Sequence, residues 1–242
     1  MFRPIRFAFK LTWRLQLIAL AGVAGFAVGT YRLLNEERQT WGVEPADPDR
    51  VLPGDDIIDD PTVTDTRGIY IDAEPAAVWP WLVQMGYDRA GWYSFDRIDM
   101  DGQSADAILA EFQGLAEGDT VPTHPGGGFE VRAIEPNEAL VLYLDTELVS
   151  ASSEGEATPV GLQGAGAMGD MAMSEFRGTW TFVLEPAPGG RTRLIERLRL
   201  WVSEPGAPQR LGLPVMGLGV FVMTRKHMLG LKERAERAAR EG

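Results

Sequence analysis

The stretch Thr66–Gly102, TRGIYIDAEPAAVWPWLVQMGYDRAGWYSFDRIDMDG, decides the fold. Ile69 and Ile71 alternate with Tyr70 and Asp72 at the period of a strand until Pro75 ends the pattern. Pro75 suits a first helical turn, where a missing N–H costs nothing. Val78, Trp79, Leu82, Val83 and Met85 then recur at helical spacing, Pro80 is expected to bend the helix, and Gly86 marks its stop. Trp92, Tyr93 and Phe95 follow within a few residues, and so much aromatic surface must face a core or a cavity.

Working outward, the chain of 242 residues is 45% hydrophobic, which predicts one domain of ordinary size with an appendage. It has no Cys, excluding disulfides, thiolate metal sites and a cysteine nucleophile. The net charge of −12 is unevenly placed. Residues 1–34 carry Arg3, Arg6, Lys10, Arg14 and Arg32 and no acid, leaving 18 basic groups against 35 acidic ones in the rest. A domain so acidic repels phosphate backbones, and no nucleic-acid partner is expected.

Residues 15–31 (LQLIALAGVAGFAVGTY) are uncharged and mostly apolar, with Trp13 and Tyr31 at the flanks. The run reaches the lower limit for a spanning helix. Its basic N-terminal flank predicts a single-pass anchor with the N-terminus in the cytoplasm and the domain outside. A cleaved signal peptide with small residues at Ala27 and Gly29, and a helix packed on the domain, are the rival readings. The segmentation expected is an anchor helix at 1–38, an extended linker at 39–65 and a domain at 66–242. In the linker, Asp55, Asp56, Asp59 and Asp60 read as solvated acids rather than a calcium site.

Beyond the opening stretch, Ser104 is expected to cap a short helix carrying Ile108, Leu109 and Phe112. Strands are predicted at Asp119–Thr123, Phe129–Ile134 and Ala139–Asp145, joined by turn chemistry. Residues 146–174, rich in Ser, Gly, Ala and Met, are either a lid or a disordered loop. Their Gly164–Gly169 G-x-G-x-x-G pattern lacks the flanking strand and helix of a dinucleotide site. Glu175–Glu185 and Arg191–Val202 form the clearest hairpin. Trp180, Phe182 and Leu184 share one face with Phe176, and Leu194, Glu196, Leu198 and Leu200 share the matching face of the second strand. Period two therefore points the Glu196 carboxylate inward, unless a bulge or edge position returns it to solvent. From Leu211 to Arg240, Leu218, Phe221, Val222, Met228, Leu231 and Ala235 mark a long amphipathic helix.

Strand, Pro-started helix with V-W-x-W-L, then Q-x-G-x-x-R-x-G-W-Y-S-F-D resembles an actinobacterial, membrane-anchored branch of the SRPBCC superfamily, which includes START lipid-binding domains and polyketide cyclases. Ser104–Asp119 (SADAILAEFQGLAEGD) and Met223–Glu236 (MTRKHMLGLKERAE) match it too, and the resemblance covers about residues 41–240. It implies an α+β, helix-grip (START-like) fold: a curved antiparallel sheet around a long C-terminal helix, here preceded by the N-terminal hydrophobic helix. One fold hosts carriers, cyclases and regulators, so function must come from the site.

The chemistry-bearing residues are few. His124 lies in a turn and His227 on the last helix, where a core or surface role is expected, and neither G-x-S-x-G nor H-E-x-x-H is present. No catalytic residue, metal or cofactor is assigned. The leading expectation is a membrane-anchored binding domain for a hydrophobic small molecule or lipid. Its cavity would be lined by Trp79, Trp92, Tyr93, Arg97, Trp180, Phe182, Glu196 and Phe221, with Arg97 and Tyr93 as partners for Glu196. The alternatives are a polyketide cyclase/aromatase-like enzyme and a ligand-free, membrane-tethered protein-interaction domain. The anchor reading is checked by adding protease to spheroplasts: the domain is digested if it lies outside, whereas protection until lysis overturns the orientation.

Overall fold

The structure, a computed structural model, describes residues 38–99, 102–124, 127–151, 175–203 and 207–241. The expected anchor helix, its apolar run 15–31 and most of the 146–174 loop lie outside the described residues. Among those described, no helix is long and apolar enough to cross a membrane.

Residues Gln39–Gly242 form one compact α+β unit. Its elements in chain order are β1 (Val63–Ile71), α1 (Pro75–Val83), α2 (Asp96–Asp99), β2 (Thr120–His124), β3 (Gly127–Glu135), β4 (Ala139–Asp145), α3 (Thr146–Ala151), β5 (Phe176–Ala187), β6 (Arg191–Val202) and α4 (Ala207–Glu241). The strands make a six-stranded open sheet in the order β1-β6-β5-β4-β3-β2, antiparallel throughout. The predicted strands are found, with β4 at its expected bounds and the β5–β6 hairpin continuous over twelve rungs. β1 starts earlier than its apolar alternation suggests, bringing Asp65 and Arg67 into the sheet.

One face of the sheet is covered by α1 and α4, and its core includes Ile71, Leu140, Leu142, Phe182, Leu184 and Leu194. From α4, Thr224, His227, Met228, Leu231 and Ala235 are buried, spacings of three and four residues that keep them on one stripe. Leu218 and Val222, expected to continue that stripe, are exposed, because the buried stripe begins only at Thr224. Gly230 brings α4 against the loop before α2: a Cβ there would overlap the Tyr93 carbonyl oxygen. In α1, Trp79 is only half-buried while Trp81 is buried on the opposite side, edge-on to Tyr93 at 6.1 Å. Trp81 falls with Val78 and Leu82 at spacings of three and four, so the buried stripe of α1 runs through it rather than through Trp79. The helix expected after Ser104 is reduced to one 3₁₀ turn, Ala110–Phe112, and Ile108 is exposed. Ser104 instead accepts the Tyr93 N–H at 3.0 Å and donates to Asp96 at 2.6 Å.

The segment expected to be a solvated linker is a strap. Gly42, with φ +72°, lies against Gly68, whose N–H donates to the Trp41 carbonyl at 3.0 Å, so the strap also covers the edge strand β1. The chain then crosses the second face of the sheet, with Leu52, Ile58 and Asp47 buried. Outward arginines of β6 hold it. Arg193 pairs with Asp47 and Glu44, and Arg199 donates to the Ile58 carbonyl at 2.7 Å. Arg197, fully buried, donates to the Asp55 carboxylate and to the Arg50 and Asp47 carbonyls, each at 2.6 Å, and to Thr66 at 3.0 Å. Of the acids read as solvated, Asp55 is thus a counterion of a buried arginine row, which Asp47 also serves.

Arg197→Leu removes the guanidinium from the Asp55 carboxylate and from the Arg50 and Asp47 carbonyls, leaving Asp55 with the Leu52 N–H and Arg199. It is expected to cost about 3–5 kcal/mol in denaturant unfolding and to open residues 39–62 to limited proteolysis. A variant within about 0.5 kcal/mol of wild type, the range of ordinary surface changes, would show that the strap is not held by this guanidinium.

Candidate functional site

The site grows from one rung of the sheet. Pairing places Phe182, Glu196 and Arg67 side by side on β5, β6 and β1. Glu196 points inward, as its period requires, and has no solvent exposure. Its Oε1 accepts the Trp180 indole N–H at 2.7 Å, and its Oε2 lies 3.7 Å from Arg67 Nη1, an ion pair without a hydrogen bond. Arg67, also fully buried, donates to Asp65 at 2.5 Å and to Thr224 of α4 at 3.0 Å, and its guanidinium sits 5.6 Å above the Phe221 ring. Burial pushes the Glu196 carboxyl above the usual carboxylate range, against the opposing pull of Arg67 and of the Trp180 N–H.

Around this rung lies an aromatic box. Trp92 stacks on Trp180 at 5.6 Å with the planes 22° apart, Phe129 tilts onto Trp180 at 5.5 Å, and Phe182 approaches it at 4.9 Å. Trp92 and Trp180 each keep 8% exposure, whereas Glu196 has none and His227 has 2%. His227 closes the box from α4, with its ring 5.5 Å from Trp180, 5.7 Å from Phe182 and stacked on Tyr93 at 6.2 Å.

The histidine's chemistry follows from one contact. His227 Nδ1 lies 2.7 Å from the Trp92 carbonyl, which can only accept, so Nδ1 carries the proton and Nε2 is a bare lone pair. Nε2 has no hydrogen-bond partner and neither has Glu196 Oε2, although both are buried. Burial lowers the His227 pKa to about 4, so the ring is neutral at physiological pH.

Gln84, at the head of the Q-x-G-x-x-R motif, positions the aromatic loop. Its amide nitrogen donates to Tyr93 Oη at 3.0 Å and to the Ala107 carbonyl at 3.2 Å, and its oxygen accepts from Leu109 N–H at 2.9 Å and Gln113 at 3.2 Å. Tyr93 is held at φ 55°, donates to the Trp81 carbonyl at 2.9 Å, and is pushed well above the usual phenol range by burial. Its hydroxyl is committed there and does not reach Glu196.

Of the expected site residues, Trp92, Trp180, Phe182 and Glu196 come together in the box. Phe221 borders it beneath Arg67, and Tyr93 contributes through its stacking on His227. Arg97 is exposed on α2 and Trp79 stands outside on α1, so Glu196 is paired by Arg67 and Trp180 rather than by Arg97 and Tyr93. Arg67, His227, Thr224 and Gln84 were not foreseen. Arg67 shares the two-residue alternation of Ile69 and Ile71, and His227 lies four residues before Leu231 on the helical stripe, so period was signal enough for the face of each but not for its partners. Among the described residues no cluster of His, Asp and Glu is arranged to hold a metal.

No family model matches the chain, and no curated protein does. Solved structures are similar at low identity. The Mesorhizobium loti protein MLL2253 is 18% identical with a TM-score of 0.40, over 72% of this chain and 98% of its own. A conserved protein from Geobacillus kaustophilus is 16% identical with a TM-score of 0.41, over 73% and 97%. CalU16 from Micromonospora echinospora is 12% identical with a TM-score of 0.30, over 74% and 86%. The site is therefore read from its own geometry.

The buried imidazole gives a pH signature. With a folded pKa of about 4 against an ordinary 6.5, the native state binds fewer protons than the unfolded one between those values. Stability from this group is fully present above pH 6.5 and falls on acidification towards pH 4, by about 3 kcal/mol in all. Glu196 has the opposite sign, its raised pKa lowering stability as pH rises from the ordinary carboxyl value through the folded one. His227→Asn keeps a donor for the Trp92 carbonyl, so the difference between the two stability profiles isolates the histidine. A difference that is flat between pH 4 and 6.5 would show that the ring is charged or solvated in the native state.

Proposed function

We propose that this chain is a membrane-anchored binding domain of the helix-grip, START-like type, taking a hydrophobic small molecule or lipid between the sheet and α4. The observation that carries the reading is the pair of buried acceptors, Glu196 Oε2 and His227 Nε2, left without donors against one aromatic box. A buried acceptor with no donor costs about 1–3 kcal/mol, and such groups in a native interior call for a functional account. Apolar walls with a few polar groups are the usual construction of a small-molecule site. Access is through α4, whose first half contains Gly212, Pro214, Gly217 and Gly219. The resemblance to SRPBCC proteins over about residues 41–240 and the apolar run 15–31 support the superfamily and the anchor.

Binding is favoured over cyclase chemistry because Glu196, His227 and Tyr93 do not form a proton relay. Neither unpartnered acceptor reaches the other, and the Tyr93 hydroxyl is held by Trp81 and Gln84. A second reading, a ligand-free interaction domain, is favoured by the closed packing around Glu196.

Native mass spectrometry of the full chain extracted gently from its own membranes separates the two. An apolar molecule is expected to travel with the protein and to be lost on Trp180→Ala. Only the mass of the bare chain, with no uptake of added fatty acid or polycyclic probe, would overturn the binding reading.

A further inference from the structure

The polarity of the box selects its ligand. Donors near it are already engaged: the Trp180 N–H by Glu196, the Arg67 guanidinium by Asp65 and Thr224, the Tyr93 hydroxyl by the Trp81 carbonyl, and His227 Nδ1–H by the Trp92 carbonyl. The groups left over, Glu196 Oε2 and His227 Nε2, are both acceptors. Because Nδ1 is tied to the loop, Nε2 is directed away from Trp92 O across the five-membered ring. On this basis, and resting on the binding reading above, we propose that the site takes a flat or polycyclic apolar molecule bearing a hydroxyl or N–H donor, and rejects acids.

Three features act together. The Trp92–Trp180 pair, stacked within 22° and each ring 8% exposed, supplies aromatic walls that favour a planar ring system. A ligand hydroxyl supplies the donor that Nε2 lacks, or donates to Oε2 and relieves a buried carboxylate of its missing bond. A ligand carboxylate brings only lone pairs against two lone-pair acceptors and leaves all of them unpaired, a penalty paid on both sides. The neutral state of the imidazole supports the assignment, since a protonated ring would present a donor there. His227 is thus a specificity-determining residue, and its tautomer is set by the same loop that supplies Trp92.

The test uses naphthalene, 1-naphthol and 1-naphthoate as probes on the full chain in detergent micelles, beside His227→Phe, so that partition into micelles cancels in the ratio. The protein is labelled with ¹⁵N at histidine. 1-Naphthol is expected to gain about tenfold over naphthalene on the wild type relative to the variant, the worth of one good buried hydrogen bond. The Nε2 resonance should move with 1-naphthol and stay with naphthalene. Should His227→Phe fail to fold, Glu196→Gln replaces an acceptor oxygen with an N–H donor. It is expected to shift preference towards 1-naphthoate. Naphthalene and 1-naphthol binding equally with an unmoved Nε2 resonance, or 1-naphthoate preferred by the wild type, would overturn the selectivity while leaving the binding reading standing. No uptake of any probe by wild type or variant overturns the binding reading, and this inference with it.

Discussion

Strand β6 carries a charge into each face of the sheet at consecutive positions, and much of the structure is arranged to satisfy the two. Glu196 faces α4 and Arg197 faces the strap, and neither side chain reaches solvent. A buried charge without a counterion costs several kcal/mol, so each needs a partner from elsewhere in the chain. Arg67 and Trp180 supply one set, and Asp55, Thr66 and the carbonyls of the strap supply the other. Because adjacent residues of a strand point oppositely, a slip of one residue would exchange the two charges between faces and leave both unpaired. The pair therefore fixes register as well as packing.

That arrangement explains why the sheet is buried on both sides although it is antiparallel and open. Sheets of this kind commonly leave one face in water. Here the outward face carries Thr179, Thr181, Arg193 and Arg197, which are polar yet buried under the strap. The strap contributes carbonyls and two aspartates, Asp47 and Asp55, so that face is held by charge-assisted hydrogen bonds rather than by apolar area. The inward face is the reverse: apolar and aromatic, with one charged rung. Buried acceptors without donors occur on both faces, Thr179 Oγ1 and Asp55 Oδ1 under the strap and Glu196 Oε2 and His227 Nε2 inward, and among the described residues it is the inward pair that meets aromatic walls.

The loop after α1 links the two layers. Gln84 uses both ends of its amide to hold Tyr93, Ala107, Leu109 and Gln113, and Tyr93 in turn meets Gly230 of α4 without space for a side chain between them. The same loop carries Trp92, whose ring stacks on Trp180 and whose carbonyl sets the tautomer of His227. A shift of α4 would therefore disturb the aromatic stack and the histidine together.

By itself the sequence determined whatever depends on local period and local chemistry. Alternation along β5 and β6 put Trp180, Phe182 and Glu196 on one face, turn residues bounded the hairpin, and Pro75 started α1. The aromatic content of the opening stretch marked Trp92 and Tyr93 for the interior. Tertiary structure decided what depends on pairing across distance. Period two says which way Glu196 points, and says nothing of whether Arg67, Arg97 or Tyr93 will meet it. That rested on β1 lying beside β6 in one register. The strap looked like a solvated linker because Pro, Gly and Asp have the composition of one, and its order comes from arginines more than 130 residues away. Trp81 lies three residues after Val78 and His227 four before Leu231, so period was signal enough for the face of each, while the ring that both meet, Tyr93, was set by the fold. A side chain's face is a property of its own backbone, while its partner is a property of the whole fold.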